Sequence, residues 1–255
     1  MFFQLAGCSS AEDKPIWEDV KLADLIPSRQ GRDQSKWPPK TIDFNIFIFE
    51  MPAKAVTVLD DIWPMLYAGP LDFIDGRTFS ANLFSAGFGR QHMWEKVAGA
   101  LRRANARKVR TESLFLLDGQ ANDVMVSSIY GKQSISYLSS GGFREQREIG
   151  PGAMVLRLRA EKVPAARGVC NVTVVPMFSL SASSAVPQLA AQLRAGEVAF
   201  ESVSFTVKMS PGDFVFLGPK KHVSYQADLA GRFFSRASGR YPLRTFLIVC
   251  STVGD

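Results

Sequence analysis

The 255-residue chain carries 30 Lys+Arg against 24 Asp+Glu, a net charge of +6, and 46% of it is hydrophobic. That much apolar material builds one large folded domain or two modest ones and excludes global disorder. Three cysteines, Cys8, Cys170 and Cys250, form neither a disulfide framework nor the paired spacing of a metal site, and no run reaches the about 20 apolar residues of a membrane-crossing helix.

The N-terminal motif Leu5-Ala6-Gly7-Cys8 resembles the lipobox of bacterial lipoproteins, which implies lipidation of Cys8 and a polar tether beginning at Ser9. Residues 9–40 fit a tether: they are polar, and they hold Pro15, Pro27, Pro38 and Pro39 with a charged run from Arg29 to Lys36. Folding is expected to begin at Ile42, where Phe44, Ile46 and Ile48 alternate with Phe47 and Phe49, as in a strand buried on both faces.

Pro52 opens a predicted helix whose stripe is Ala55, Leu59, Ile62 and Leu66, stopped at Gly69-Pro70. A second strand is expected over Phe79 to Phe84, a turn at Gly87-Phe88-Gly89, and a second helix on Met93, Val97, Ala100, Leu101 and Ala104. Val109 to Leu117 returns to strand character. Residues 41–113 thus read as a small β-α-β-α-β unit. The helix and its end carry a basic cluster, Arg102, Arg103, Arg107, Lys108 and Arg110, expected to lie on one face. Aromatic residues are not interleaved with it, which disfavours nucleic acid as a partner and leaves a solvated face, an anionic surface or a neighbouring subunit.

From 114 to 255 the chain reads as antiparallel strands between turns such as Asp118-Gly119 and Gly141-Gly142. Strands are expected over 124–129, 134–138, 153–159, 169–176, 200–209, 213–217 and 244–249, with one short helical stretch at 185–193. Cys170 and Cys250 sit in apolar strands as small hydrophobes; an oxidising compartment would allow a bridge between them. The expected fold class is therefore α+β, a small β-α-β-α-β unit followed by a mainly antiparallel β-domain.

The last blocks carry a family resemblance. Val203 to Met209 alternates, Pro211-Gly212-Asp213 supplies a turn, and Phe214-Val215-Phe216-Leu217-Gly218-Pro219 supplies a second strand ending Leu-Gly. Leu229-Ala230-Gly231-Arg232-Phe233-Phe234 and Arg244-Thr245-Phe246-Leu247-Ile248-Val249 follow in order. This series, with Leu117 to Val126 and Gly152 to Pro176 upstream, resembles the wall domain of secretins, the ring channels of bacterial secretion and pilus systems, over residues 114–253. The resemblance implies a wall hairpin turning at Pro211, Gly212 and Asp213 and closing at Gly218-Pro219. It also implies a homo-oligomer, or assembly with other secretin subunits, and a periplasmic or outer-membrane location through the Cys8 lipid anchor. Three segments are expected: a leader and tether over 1–40, a ring-type α/β domain over 41–113, and a secretin-like β-domain over 114–255.

Departures accompany it. Proline follows Gly218 where the family has a second glycine, and only residues 179–198 stand in place of the long gate-forming hairpins.

Enzyme motifs are missing from the sequence. His92 and His222 have no ligand-spaced partners, Leu83 to Gly87 lacks the first glycine of a nucleophile elbow, and Gly87-Phe88-Gly89 lacks the third glycine of a dinucleotide loop. The expectation is a non-enzymatic protein without cofactor or metal, a secretin-like subunit or accessory lipoprotein. The alternatives are a monomeric periplasmic binding module with a ligand-sized pocket, and an anionic-surface or nucleic-acid binder using the basic segment 90–110.

Overall fold

A computed structural model describes residues 41–180, 196–221, 227–235 and 243–254. The lipobox-like motif with Cys8, the helical stretch expected at 185–193 and His222 lie outside the described residues.

The first strand, β1 (Ile42–Met51), is buried on both sides as its double apolar alternation requires. Ile42, Phe44, Ile46 and Ile48 enter one core, while Phe47, Phe49 and Met51 enter another. A 3-10 turn over Ala53–Ala55 leads into helix α1 (Val56–Ile62), and a second 3-10 turn, Trp63–Met65, ends it. Then come the short strand β2 (Leu71–Phe73) and helix α2 (Gly76–Ala81), whose N-cap Asp75 accepts from the Arg77 and Thr78 amides, each at 3.0 Å.

Phe79 therefore belongs to a helix, and the strand expected over Phe79 to Phe84 is displaced to β3 (Phe84–Gly89). Gly87-Phe88-Gly89 is likewise strand, not turn. Its glycines serve close approach: a Cβ at Gly89 would lie 2.2 Å from the Phe214 ring and one at Gly87 2.6 Å from Leu66. Helix α3 (Trp94–Arg103) buries the expected stripe of Val97, Ala100 and Leu101. The chain continues through β4 (Arg107–Leu116), β5 (Ala121–Ile129), β6 (Gln133–Leu138), β7 (Arg144–Ile149), β8 (Gly152–Lys162) and β9 (Cys170–Ser179). After β10 (Val198–Ala199) come β11 (Phe205–Met209), β12 (Phe214–Pro219), helix α4 (Leu229–Phe234) and β13 (Leu243–Val253).

These strands make two antiparallel sheets and a separate hairpin. The first sheet has the order β3-β12-β13-β1-β4, the second β2-β11-β9-β8-β5 with β10 on β9, and the hairpin is β6-β7. The fold is α+β with antiparallel strand pairing. The sheets enclose a phenylalanine-rich core in which Phe79, Phe84, Phe234 and Phe246 form a chain of ring contacts 4.7 to 6.2 Å between centroids. Helices α1 and α3 cover the outer face of the first sheet, where Trp94 meets Phe214 and Trp63 meets Phe216.

Two expectations about connectivity change. Strands β1 and β3 come from residues 41–113 and β4 crosses the expected boundary, yet β3 reaches β1 only through β12 and β13. The segments 41–113 and 114–255 thus share one hydrogen-bonded sheet. The wall hairpin is also not a hairpin. Strand β11 pairs with β9 and β2 in the second sheet, whereas β12 pairs with β13 and β3 in the first. Pro211, Gly212 and Asp213 do form a turn, with Gly212 at φ +91°, but it carries the chain from one sheet to the other. The physical reason is that β11 buries one face only, with Phe205, Val207 and Met209 in the central core, whereas β12 is buried on both faces, with Val215 and Leu217 in that core and Phe214 and Phe216 under the helices.

Candidate functional site

The corner turn is stitched to the central strand. Gly212 N donates to Cys250 O at 2.8 Å, Cys250 N to Asp213 O at 3.0 Å, and Ser210 N to the Asp213 carboxylate at 2.8 Å. Gly218 lies against Thr245 and Trp63, and Pro219 ends β12 opposite Phe84. These five positions hold the architecture together. Their partners are main-chain and core atoms.

The basic cluster is divided. Helix α3 ends at Arg103, so only Arg102 and Arg103 sit on it, both exposed, while Arg107, Lys108 and Arg110 belong to β4. The Lys108 ammonium lies 5.7 Å from the Phe47 ring centroid. Arg110 pairs with Glu112 and donates to Met125 O at 2.9 Å across the sandwich. The expected single basic face is not formed, because the chain leaves the helix at Asn105, which takes a left-handed φ of +51°, and a register shift in β4 then sets Lys108 opposite Phe49 and Arg110 opposite Ile48, on opposite faces of the sheet.

Among the described residues no group of three or more His, Cys, Asp and Glu is placed to hold a metal ion, and no helix is long and apolar enough to cross a membrane. A cleft of about 220 Å³ lies beside the hairpin, lined by Asn82, Tyr137, Arg144, Lys221 and Asp228 among others. On the second sheet Arg157 is clasped by Asp123 at 2.7 Å and Glu197 at 2.9 Å, and these bonds raise its pKa further above the ordinary arginine value.

The feature that reads as a site is an edge. Each outer strand of the sandwich is blunted in a recognisable way. Strand β2 is three residues long. Strand β3 is met by Tyr67, which exchanges two main-chain bonds with Phe88 at 2.8 and 2.9 Å. Strands β4 and β5 are tied together by Arg110 donating to Met125 O, and Arg244 of β13 also reaches β5, donating to Val126 O. Strand β7 has none of these. Among the described residues it pairs with β6 alone, and Arg144, Gln146, Arg147 and Glu148 are exposed.

Its mounting is firm. Ile135, Tyr137 and Ile149 are buried, Tyr137 stacks edge-on against Phe200 at 5.1 Å, and Ser136 N donates to Ala227 O at 2.8 Å. The Asn82 side chain imitates a strand, donating to Leu138 O at 2.8 Å and accepting from Leu138 N at 2.7 Å. On the hairpin itself the Tyr137 hydroxyl donates to Glu145 at 2.7 Å, a bond that lowers the Glu145 pKa; burial raises that of Tyr137. Exposed Phe143 stands at the tip.

Sequence reasoning missed β7 because its five leading residues, Arg-Glu-Gln-Arg-Glu, have no apolar alternation. One signal was present. A strand at Gln133–Leu138 followed by Gly141-Gly142 demands a returning strand of similar length. Comparison with protein-family models, curated proteins and solved structures finds no match to this chain.

Proposed function

We propose that this chain is a non-enzymatic assembly component of a bacterial envelope, an accessory lipoprotein in the manner of secretion or pilus systems that acts through sheet-edge association. The observation that carries the assembly part is the rigidly mounted β7 with its outer rung unpaired among the described residues. The envelope part is supported by Leu5-Ala6-Gly7-Cys8 and the polar stretch after it. The accessory role is favoured over a channel-wall subunit because β11 and β12 occupy different sheets and the last strand, β13, is internal to its sheet. A monomeric binding module is the second reading, favoured by the cleft at Asn82 and Tyr137. At about 220 Å³ that cleft is smaller than the roughly 300–1,000 Å³ usual for small-molecule sites, and a more open one beside Val163 and Val253, about 330 Å³, lies at the bottom of that range.

Fractionation of cells producing the chain from its own gene, with fatty-acid labelling, tests the location. The expected result is a labelled, membrane-associated protein that Cys8→Ser renders unlabelled and soluble. Unlabelled wild-type protein in the cytosol would overturn the reading.

A further inference from the structure

We infer that β7 is a self-association strand: two copies of the chain join antiparallel through β7, with the two-fold axis at Gln146. This deepens the assembly reading by naming the surface and the partner, and it needs nothing from the lipid anchor.

The charge order selects the register. An antiparallel pair centred on Gln146 sets Gln146 opposite itself, Glu145 opposite Arg147, Arg144 opposite Glu148 and Phe143 opposite Ile149. Every charged residue of the strand then faces its opposite, and the apolar ends face each other. Neighbouring registers fail. A slip of one residue sets either Arg144 opposite Arg147 or Glu145 opposite Glu148, and a slip of two sets Glu145 or Arg147 opposite its own copy. Charges on an edge strand ordinarily deter indiscriminate pairing, and here the same charges admit one partner in one alignment.

The hairpin is also suited to the role mechanically. Its inner strand is fixed by Asn82, Ala227 and the Tyr137–Phe200 contact, so little order is lost when the outer strand docks. An isologous contact of this kind closes at two copies. Six residues of edge on each side make a small interface, so the dimer should be weak, dissociating in the range of about 10 to 500 µM.

Sedimentation equilibrium of the full chain up to about 1 mM, alongside Glu145→Arg, Arg147→Glu and the double exchange, tests the proposal. The expected result is a dimer that each single reversal weakens about tenfold or more and that the double exchange restores. Far-UV circular dichroism monitors folding. If a reversal at 145 or 147 disturbs the Tyr137 contact, Arg144→Glu with and without Glu148→Arg provides the same cycle on the opposite face. A wild-type monomer throughout, or a dimer indifferent to both sets of reversals, would overturn it. Either outcome leaves the lipid-anchor experiment unaffected, so the two failures are distinguishable.

Discussion

Cys250 of the first sheet and Cys170 of the second both lie inside the central core, where Cys170 donates to Met209 O at 3.6 Å. Both are free and fully buried. The neighbouring Cys170 thiol, and then burial, push the Cys250 thiol far above the ordinary cysteine pKa. A Cys8→Ser chain should therefore leave aromatic disulfide reagents unreacted while folded and release two equivalents of thiol on denaturation, followed by absorbance. Cys250→Ser, which buries a hydroxyl in this apolar layer, should cost about 1–3 kcal/mol in a urea melt.

Arg244 ties the two sheets together at one corner. Its guanidinium holds Glu50 at 2.9 Å and reaches the Val126 carbonyl, and Glu50 is buried. Arg244→Met removes the tie and leaves a carboxylate in a low-dielectric site, so a loss of about 3 kcal/mol is expected. Glu50→Gln in the same chain should recover part of that loss. A double-mutant cycle read by chemical denaturation measures the coupling, which additive single losses would disprove.

Asp213 gives the corner turn a pH signature. Burial raises its carboxyl pKa, outweighing the Ser210 amide bond and the attraction of Arg90. An acid whose folded pKa lies above its unfolded value binds its proton more tightly in the native state. Its contribution to stability is therefore most favourable below the unfolded value near 3.8 and is lost as pH rises through the folded value. Asp213→Asn keeps an acceptor for Ser210 N and removes the titration. Relative to wild type, its melting temperature should improve between about pH 4 and pH 7; a constant difference across that range would contradict the assignment.

Gly89 is replaceable only at a cost. Gly89→Ala places a methyl group 2.2 Å from the Phe214 ring, which is also packed against Trp94 under α3. Overpacking of this kind should cost about 1–3 kcal/mol, measured as a lowered denaturation midpoint with the slope unchanged.

That residue also marks where sequence reasoning was limited. Glycines at 87 and 89 signal a turn when read locally, and their actual service, admitting Leu66 and Phe214 to the strand, depends on neighbours distant in the chain. The apolar rhythm of β1 and the stripe of α3 were legible, because burial on both faces and burial of one helix stripe are written directly in residue order. Alternation in β11 and β12 identified two strands, but pairing partners are not encoded in alternation. A tight turn between them suited a hairpin as well as a corner. The β7 edge escaped notice for a related reason: a strand that buries only Ile149 carries almost no hydrophobic signal.

Disulfide trapping tests the self-association strand most directly, because it reads the register residue by residue. In a Cys8→Ser chain, whose remaining cysteines are buried, Gln146→Cys should form a crosslinked dimer under mild oxidation. Arg144→Cys and Glu148→Cys should crosslink poorly alone and efficiently when mixed. Crosslinking that is equal at all three positions, or lacking at 146, would contradict the two-fold pairing of β7.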